Sequence, residues 1–227
     1  MKNFLVSFLL VVAICSAAYS QNYDDAGLWT TVNLEKNLKN NFGLFLTEEF
    51  RLKENFSRVN LFYTDAGVSF RPANFLKIAL AYRFTQKHLL DDSYSFRHRF
   101  MLDITLRRKI ERTTVSYRHR LQSEVIDVQS SEKGHIPEWY SRSKVEAKYD
   151  LGKKYRPFAS LEYRYQFFNP RDEESDQTWH RYRAAAGFDY EMNKKNTFGL
   201  YYLIQHEWNV SHPDNLYIIG VEYSHTF

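Results

Sequence analysis

Cysteine, proline and glycine are scarce in this chain of 227 residues, with one, five and eight copies. The lone cysteine, Cys15, sits in an apolar N-terminal stretch. A chain processed behind that stretch can form no disulfide and offers neither a thiol nucleophile nor a cysteine metal site. So little proline and glycine argues against linkers and disorder, and no Pro/Ser/Gly-rich joint divides the remaining two hundred or so residues, which suit one domain. Past residue 20 no apolar run is long enough for a spanning helix. An excess of one charge is missing too. Setting Lys2 aside from 31 basic residues leaves 30 against 27 acidic ones, and a balance of +3 does not mark a nucleic-acid partner.

Residues 1–20, MKNFLVSFLLVVAICSAAYS, combine an early lysine, a short apolar core and a small-residue end at Ala18-Tyr19-Ser20. This predicts a secretory signal peptide over 1–20 and a single barrel domain over 21–227. Ile14 precedes Cys15 where a lipoprotein signal would set a small residue.

Aromatic residues are plentiful, with 17 tyrosines and 18 phenylalanines, and they alternate with arginine. SYRHRLQSE at 116–124, SFRHRF at 95–100, LAYRF at 80–84 and LEYRYQF at 161–167 place cations at every second position. A helix would scatter them around its circumference, whereas a strand sorts them onto one face. Leu76, Ile78, Leu80, Tyr82 and Phe84 then oppose Lys77, Arg83 and Thr85. A slip of one residue would carry arginines to the greasy side, so the register is strongly set.

Eleven amphipathic segments follow one another, the first three (28–36, 42–54, 59–71) with weaker contrast. Tight connections at 71–74, 108–111, 150–154 and 191–196 alternate with longer polar ones near 54–58, 87–93, 126–138, 169–177 and 209–215. Aromatics gather at both strand ends: Phe84, Tyr94, Trp139, Phe167, Trp208 and Tyr217 on one rim, Phe70, Phe75, Tyr149, Phe198 and Phe227 on the other. Loop asymmetry and two aromatic girdles predict an all-β, antiparallel up-and-down transmembrane barrel of 10 to 12 strands, crossing lipid with strands rather than helices. Bacterial barrels usually have an even number of strands, so ten or twelve are expected. Either residues 21–28 add a short strand or the first segment stands outside the wall.

The stretches EEFRL at 48–52, LEYRYQFF at 161–168 and RYRAAAGFDYEMNKKNTFGLYY at 181–202 resemble the uncharacterised Gram-negative outer-membrane proteins grouped as domain of unknown function 2490 (DUF2490). The resemblance spans the mature chain and implies an outer-membrane location, without implying an activity. It also implies contact with membrane lipid and lipopolysaccharide. The C-terminal strand ending at Phe227 looks like the signal read by the barrel-assembly machinery.

The inward face is predicted to carry Arg83, Arg97, Arg99, Arg118, Arg120, Arg164, Arg181 and Arg183, partnered by Glu48 or Glu49, Asp103, Glu124, Glu146, Glu162, Asp189 and Glu222. Two readings stand side by side. Such a network fills a narrow barrel as a structural or adhesive scaffold, or it lines a pore whose excess arginine favours small anions. An outer-membrane hydrolase is a third reading. It would draw on His88 with Asp91 and Asp92, on His135, on Asp172, Glu173, Glu174 and Asp176 beside His180, or on His212 with Asp214. No spacing among these specifies convergence, and none has the ligand spacing of a metal motif. No catalytic residue, metal ligand or cofactor is therefore assigned from sequence.

Overall fold

The computed structural model describes residues 23–89, 91–126, 133–152, 154–172, 176–211 and 213–227. Residues 1–20, expected from sequence to be a signal peptide, lie outside them, as do Glu173, Glu174, His212 and the middle of the 126–138 loop. Eleven strands close into one barrel: β1 (Tyr23–Asn37), β2 (Phe42–Lys53), β3 (Arg58–Ala73), β4 (Leu76–His88), β5 (Tyr94–Ile110), β6 (Thr113–Ile126), β7 (Glu138–Tyr149), β8 (Tyr155–Phe168), β9 (Thr178–Glu191), β10 (Asn196–Glu207) and β11 (Asp214–Thr226). Sequential strands pair antiparallel all the way round.

The seam departs from the expected even count. β11 meets β1 in parallel, from Tyr23 opposite Asp214 to Glu35 opposite Thr226. Neither alternative held out for the N-terminal segment applies. Residues 23–37 are one continuous strand, so residues 23–28 supply the start of β1 rather than a strand of their own, and that strand is part of the wall. Closure requires only that the edge groups of the first and last strands find partners, and a parallel ladder supplies them as an antiparallel one would.

The wall is inside-out relative to a water-soluble fold. On the outside, Leu80 and Phe100 are 58% and 61% exposed, while inward Arg83 and Glu124 are 7% and 1% exposed. Such a distribution suits a wall immersed in lipid. The rim aromatics Phe75, Tyr94, Trp139, Phe198 and Phe227 are likewise exposed. The described residues of connections 38–41, 74–75, 111–112, 150–154 and 192–195 form the tight rim. Those of 54–57, 89–93, 127–137, 169–177 and 208–213 form the long-loop rim. The first tight turn uses Asn40 and Asn41, at φ 57° and 65°, a left-handed pair that asparagine tolerates better than most residues.

Polar lining is not uniform around the circumference. Near the seam the interior is apolar, where Trp29, Leu203 and Ile218 pack together with Ala185, Tyr201 and Leu216. Gly220 makes room there, because a Cβ at that position would sit 1.9 Å from the Tyr201 ring. The cationic lining therefore faces an apolar patch across the lumen.

Candidate functional site: an arginine-lined lumen

Alternation turns every second side chain inward, so the lumen is built mainly from the polar parity of β2–β9, with Thr31, Asn33, Gln205, Glu207 and Glu222 added from the strands beside the seam. Two cavities occupy it: a tight-rim chamber of about 410 Å³ and a long-loop chamber of about 330 Å³. Trp29, Arg51, Tyr63, Arg83, Arg142 and Arg183 line both, and so mark the waist between them.

At the waist two of the guanidinium groups, those of Arg51 and Arg83, are each held by a carboxylate and an aromatic face. Arg51 Nε donates to Glu49 Oε1 at 2.5 Å while its Cζ lies 3.6 Å from the centre of the Trp29 ring. Arg83 binds Asp65 through both arms of its fork at 2.5 and 2.6 Å, and lies 3.4 Å over Tyr63. The Tyr63 hydroxyl donates to Glu49 at 2.7 Å, and Thr31 Oγ1 donates to the same oxygen at 3.0 Å. Fork-shaped pairing and stacking on aromatic rings are the two contacts at which arginine outperforms lysine.

Beside the waist, Glu162 is shared by three arginines. Arg118 Nη2 donates to it at 2.8 Å, Arg142 Nε at 2.9 Å, and Arg183 Nη1 stands 3.7 Å away while its Nε donates to Gln205 at 2.7 Å. One carboxylate cannot neutralise three guanidinium groups, so fixed positive charge remains. Both chambers carry the same sign. Eight cationic residues face six acidic ones around the tight-rim chamber, and nine face four around the long-loop chamber, so the stronger positive field lies on the long-loop side.

Of the inward residues expected from sequence, all but Glu48 and Asp103 line one chamber or the other. Arg118, Arg120, Glu146, Glu162, Asp189 and Glu222 line the tight-rim chamber, and Arg97, Arg99, Glu124, Arg164 and Arg181 the long-loop chamber. Arg83 and Arg183 lie at the waist. Of the two glutamates left open, Glu49 faces in; Glu48 lies on the outer face, where Thr64 Oγ1 donates to it at 2.8 Å. Some partners differ from an arginine–carboxylate ladder. Glu146 pairs with Lys144, Asp189 with Lys148, and Glu222 accepts from Asn33 at 2.8 Å. Asp103 does take both arms of Arg120, and Glu124 takes Arg97 and Arg99.

Sequence reasoning did not single out Trp29, Arg51, Tyr63, Asp65, Tyr140 or Arg142. The available signal was parity with Glu49 in the EEFRL stretch for Arg51, and with Glu146 for Arg142. The loop histidines stay apart. His88 belongs to the β4–β5 hairpin, with Nε2 3.6 Å from Asp92, while Asp91 accepts from Ser93 Oγ at 2.7 Å. His135 lies in the β6–β7 loop, and His180 is buried at the start of β9.

A family model described as "Protein of unknown function (DUF2490)" matches residues 26–216. No curated protein matches the chain. Among solved structures, a NanC porin aligns with a TM-score of 0.50 at 9% identity, covering 79% of this chain and 85% of that one. A bacterial polysaccharide outer membrane secretin aligns with a TM-score of 0.52 at 15% identity, covering 80% of this chain and 63% of that one. The chain thus spans less than two thirds of the secretin, and at these identities both likenesses concern the fold.

Proposed function

The chain belongs to the DUF2490 family and forms an outer-membrane β-barrel, and from that premise we propose that it is a narrow passage for small anionic solutes. The observation that carries this reading is the hub at Glu162, where Arg118, Arg142 and Arg183 outnumber their shared carboxylate beside the waist. Fixed cationic side chains in a confined aqueous space raise the local concentration of anions, and a ring of them sets selectivity. The aromatic faces of Trp29 and Tyr63 hold two of the waist guanidinium groups in place while leaving donors toward the lumen.

The test is a planar-bilayer recording of the refolded barrel across a salt gradient. The reading expects conductance with a reversal potential on the anion side. It also expects a shift toward zero in Arg118→Gln, whose partner Glu162 keeps Arg142 and Arg183. A silent bilayer, or a preference for cations, overturns it. A silent bilayer would favour a filled scaffold instead, which the stacked clamps Arg51–Glu49 and Arg83–Asp65 support as side chains that plug the waist.

A further inference from the structure

At the long-loop mouth a third cavity of about 310 Å³ opens between the ends of β8, β9 and β10, lined by Arg164, Gln166, Arg171, His180, Arg181 and Ser211 among others. We propose that this cavity is a binding station for one small oxyanion group, a carboxylate or a phosphate, centred on Arg164.

The backbone builds it. Along β8 and β9 the register steps from Arg164 opposite Arg181 to Tyr165 opposite Trp179, and passes over His180. This irregularity lets two consecutive residues, His180 and Arg181, line the interior cavity, whereas a regular strand would send one of them to the outer face. His180 is 3% exposed.

Two guanidinium donors it gathers lack acceptors. Arg164 Nε and Arg181 Nε are shielded from solvent with no hydrogen-bond partner among the described residues, as is the ring nitrogen His180 Nδ1, while Arg171 Nη2 stands 3.4 Å from Glu138. Buried polar atoms are normally satisfied, so two such guanidinium nitrogens beside one cavity point to an absent acceptor.

Arg164 also lacks a direct salt bridge. Among the described residues no carboxylate lies within ion-pairing distance of it; its polar contact is Gln166 Oε1, to which Nη2 donates at 2.9 Å, and its Cζ stacks 3.6 Å over Tyr140. Gln166 is pinned in turn, since its Nε2 donates to the carbonyl oxygens of Phe168 at 3.0 Å and Trp139 at 3.3 Å. It therefore acts as a positioning residue for Arg164. The two carboxylates of the cavity are engaged by other members of its lining and not by Arg164: Glu207 pairs with Arg181, and Asp172 accepts from Ser211 Oγ at 2.9 Å.

An oxyanion suits this arrangement better than chloride does, because several oxygens can accept from a guanidinium fork and a neighbouring donor at once. Arg164 and Arg181 line the long-loop chamber as well, so a bound oxyanion would sit where mouth and lumen meet.

Isothermal titration of the full barrel in zwitterionic detergent tests the station, with sodium phosphate and sodium acetate added against a sodium chloride background. The expected result is a saturable one-site isotherm for phosphate, acetate or both, and none for added chloride. Arg164→Gln should weaken binding by about tenfold or more, with partial recovery in Arg164→Lys, because a fork of charge-assisted bonds is lost. Arg120→Gln, in the other chamber beside Asp103, should leave binding within about twofold. Heat-dependent gel mobility checks assembly, and Arg171→Gln serves if Arg164→Gln does not fold. Absence of saturable heat, equal heat from chloride, or an isotherm indifferent to the substitutions at Arg164 and Arg171 overturns the station. Occupancy and conduction fail separately: binding with a silent bilayer keeps the station and ends the passage, and conduction without binding does the reverse.

Discussion

Replacing Glu162 by glutamine perturbs the hub most directly, since it leaves Arg118, Arg142 and Arg183 facing one another with only an amide between them. With charge centres near 4 Å and an effective dielectric near 20, each arginine–carboxylate attraction is worth about 4 kcal/mol, hence roughly 12 kcal/mol gross for three. Most of this is offset, because burying the carboxylate costs several kcal/mol and the amide oxygen keeps some hydrogen bonding. Removing one partner from a buried charge network typically costs about 3–5 kcal/mol, and the adjoining chamber argues for the lower end. At about 2–4 °C per kcal/mol for a chain of this size, the melting temperature should fall by roughly 6–12 °C. Heat-dependent gel mobility and far-ultraviolet circular dichroism in detergent would follow it. Glu146→Gln is the control, because among the described residues Glu146 pairs with half-buried Lys144 alone and its loss should cost about 1 kcal/mol or less. In a conducting bilayer, Glu162→Gln should also strengthen anion preference, so stability and selectivity move in opposite directions. A variant that melts with the wild type would refute the hub, and one that melts early without a change in selectivity would refute its role in the passage.

Two other outcomes follow from the fold. Gly220→Ala should lower the assembled fraction, at an overpacking cost of about 1–3 kcal/mol, because the new Cβ meets the Tyr201 ring at 1.9 Å. Adding Tyr201→Ala should restore assembly, as read by gel mobility. Protease applied to intact cells should cut within residues 126–138 and spare the tight turns at 74–75 and 111–112, and the opposite cleavage pattern would invert the orientation.

Parity was legible wherever polar and apolar residues alternate without interruption, as in β4, β5 and β6, and this placed Arg83, Arg97, Arg99, Arg118 and Arg120 on the inner face. It faded in β1 to β3 because their inner face carries Trp29, Phe45 and Tyr63, whose rings resemble lipid-facing residues in a one-dimensional pattern. Those rings lie under cationic groups, Trp29 and Tyr63 under guanidinium and Phe45 under the Lys77 ammonium, contacts between strands that no spacing along one strand reveals. The inward Leu203 and Ile218 blur β10 and β11 in the same way. His180 was legible only as a loop histidine, because the irregularity that turns it inward depends on pairing with β8. Eleven segments were countable, while the parallel closure was not, since an even count is a habit of known barrels rather than a requirement of hydrogen bonding.

The parallel seam also gives the two ends of the barrel different addresses. Tyr23 begins β1 beside Asp214 at the long-loop rim, whereas Phe227 follows β11 at the tight-turn rim, where its backbone N–H donates to the Glu35 carbonyl at 2.9 Å. A tag fused ahead of Tyr23 would surface on one side of the membrane and a tag appended after Phe227 on the other. A single polypeptide could then be labelled independently from both compartments without inserting anything into a loop, an option closed to barrels whose first and last strands run in opposite directions.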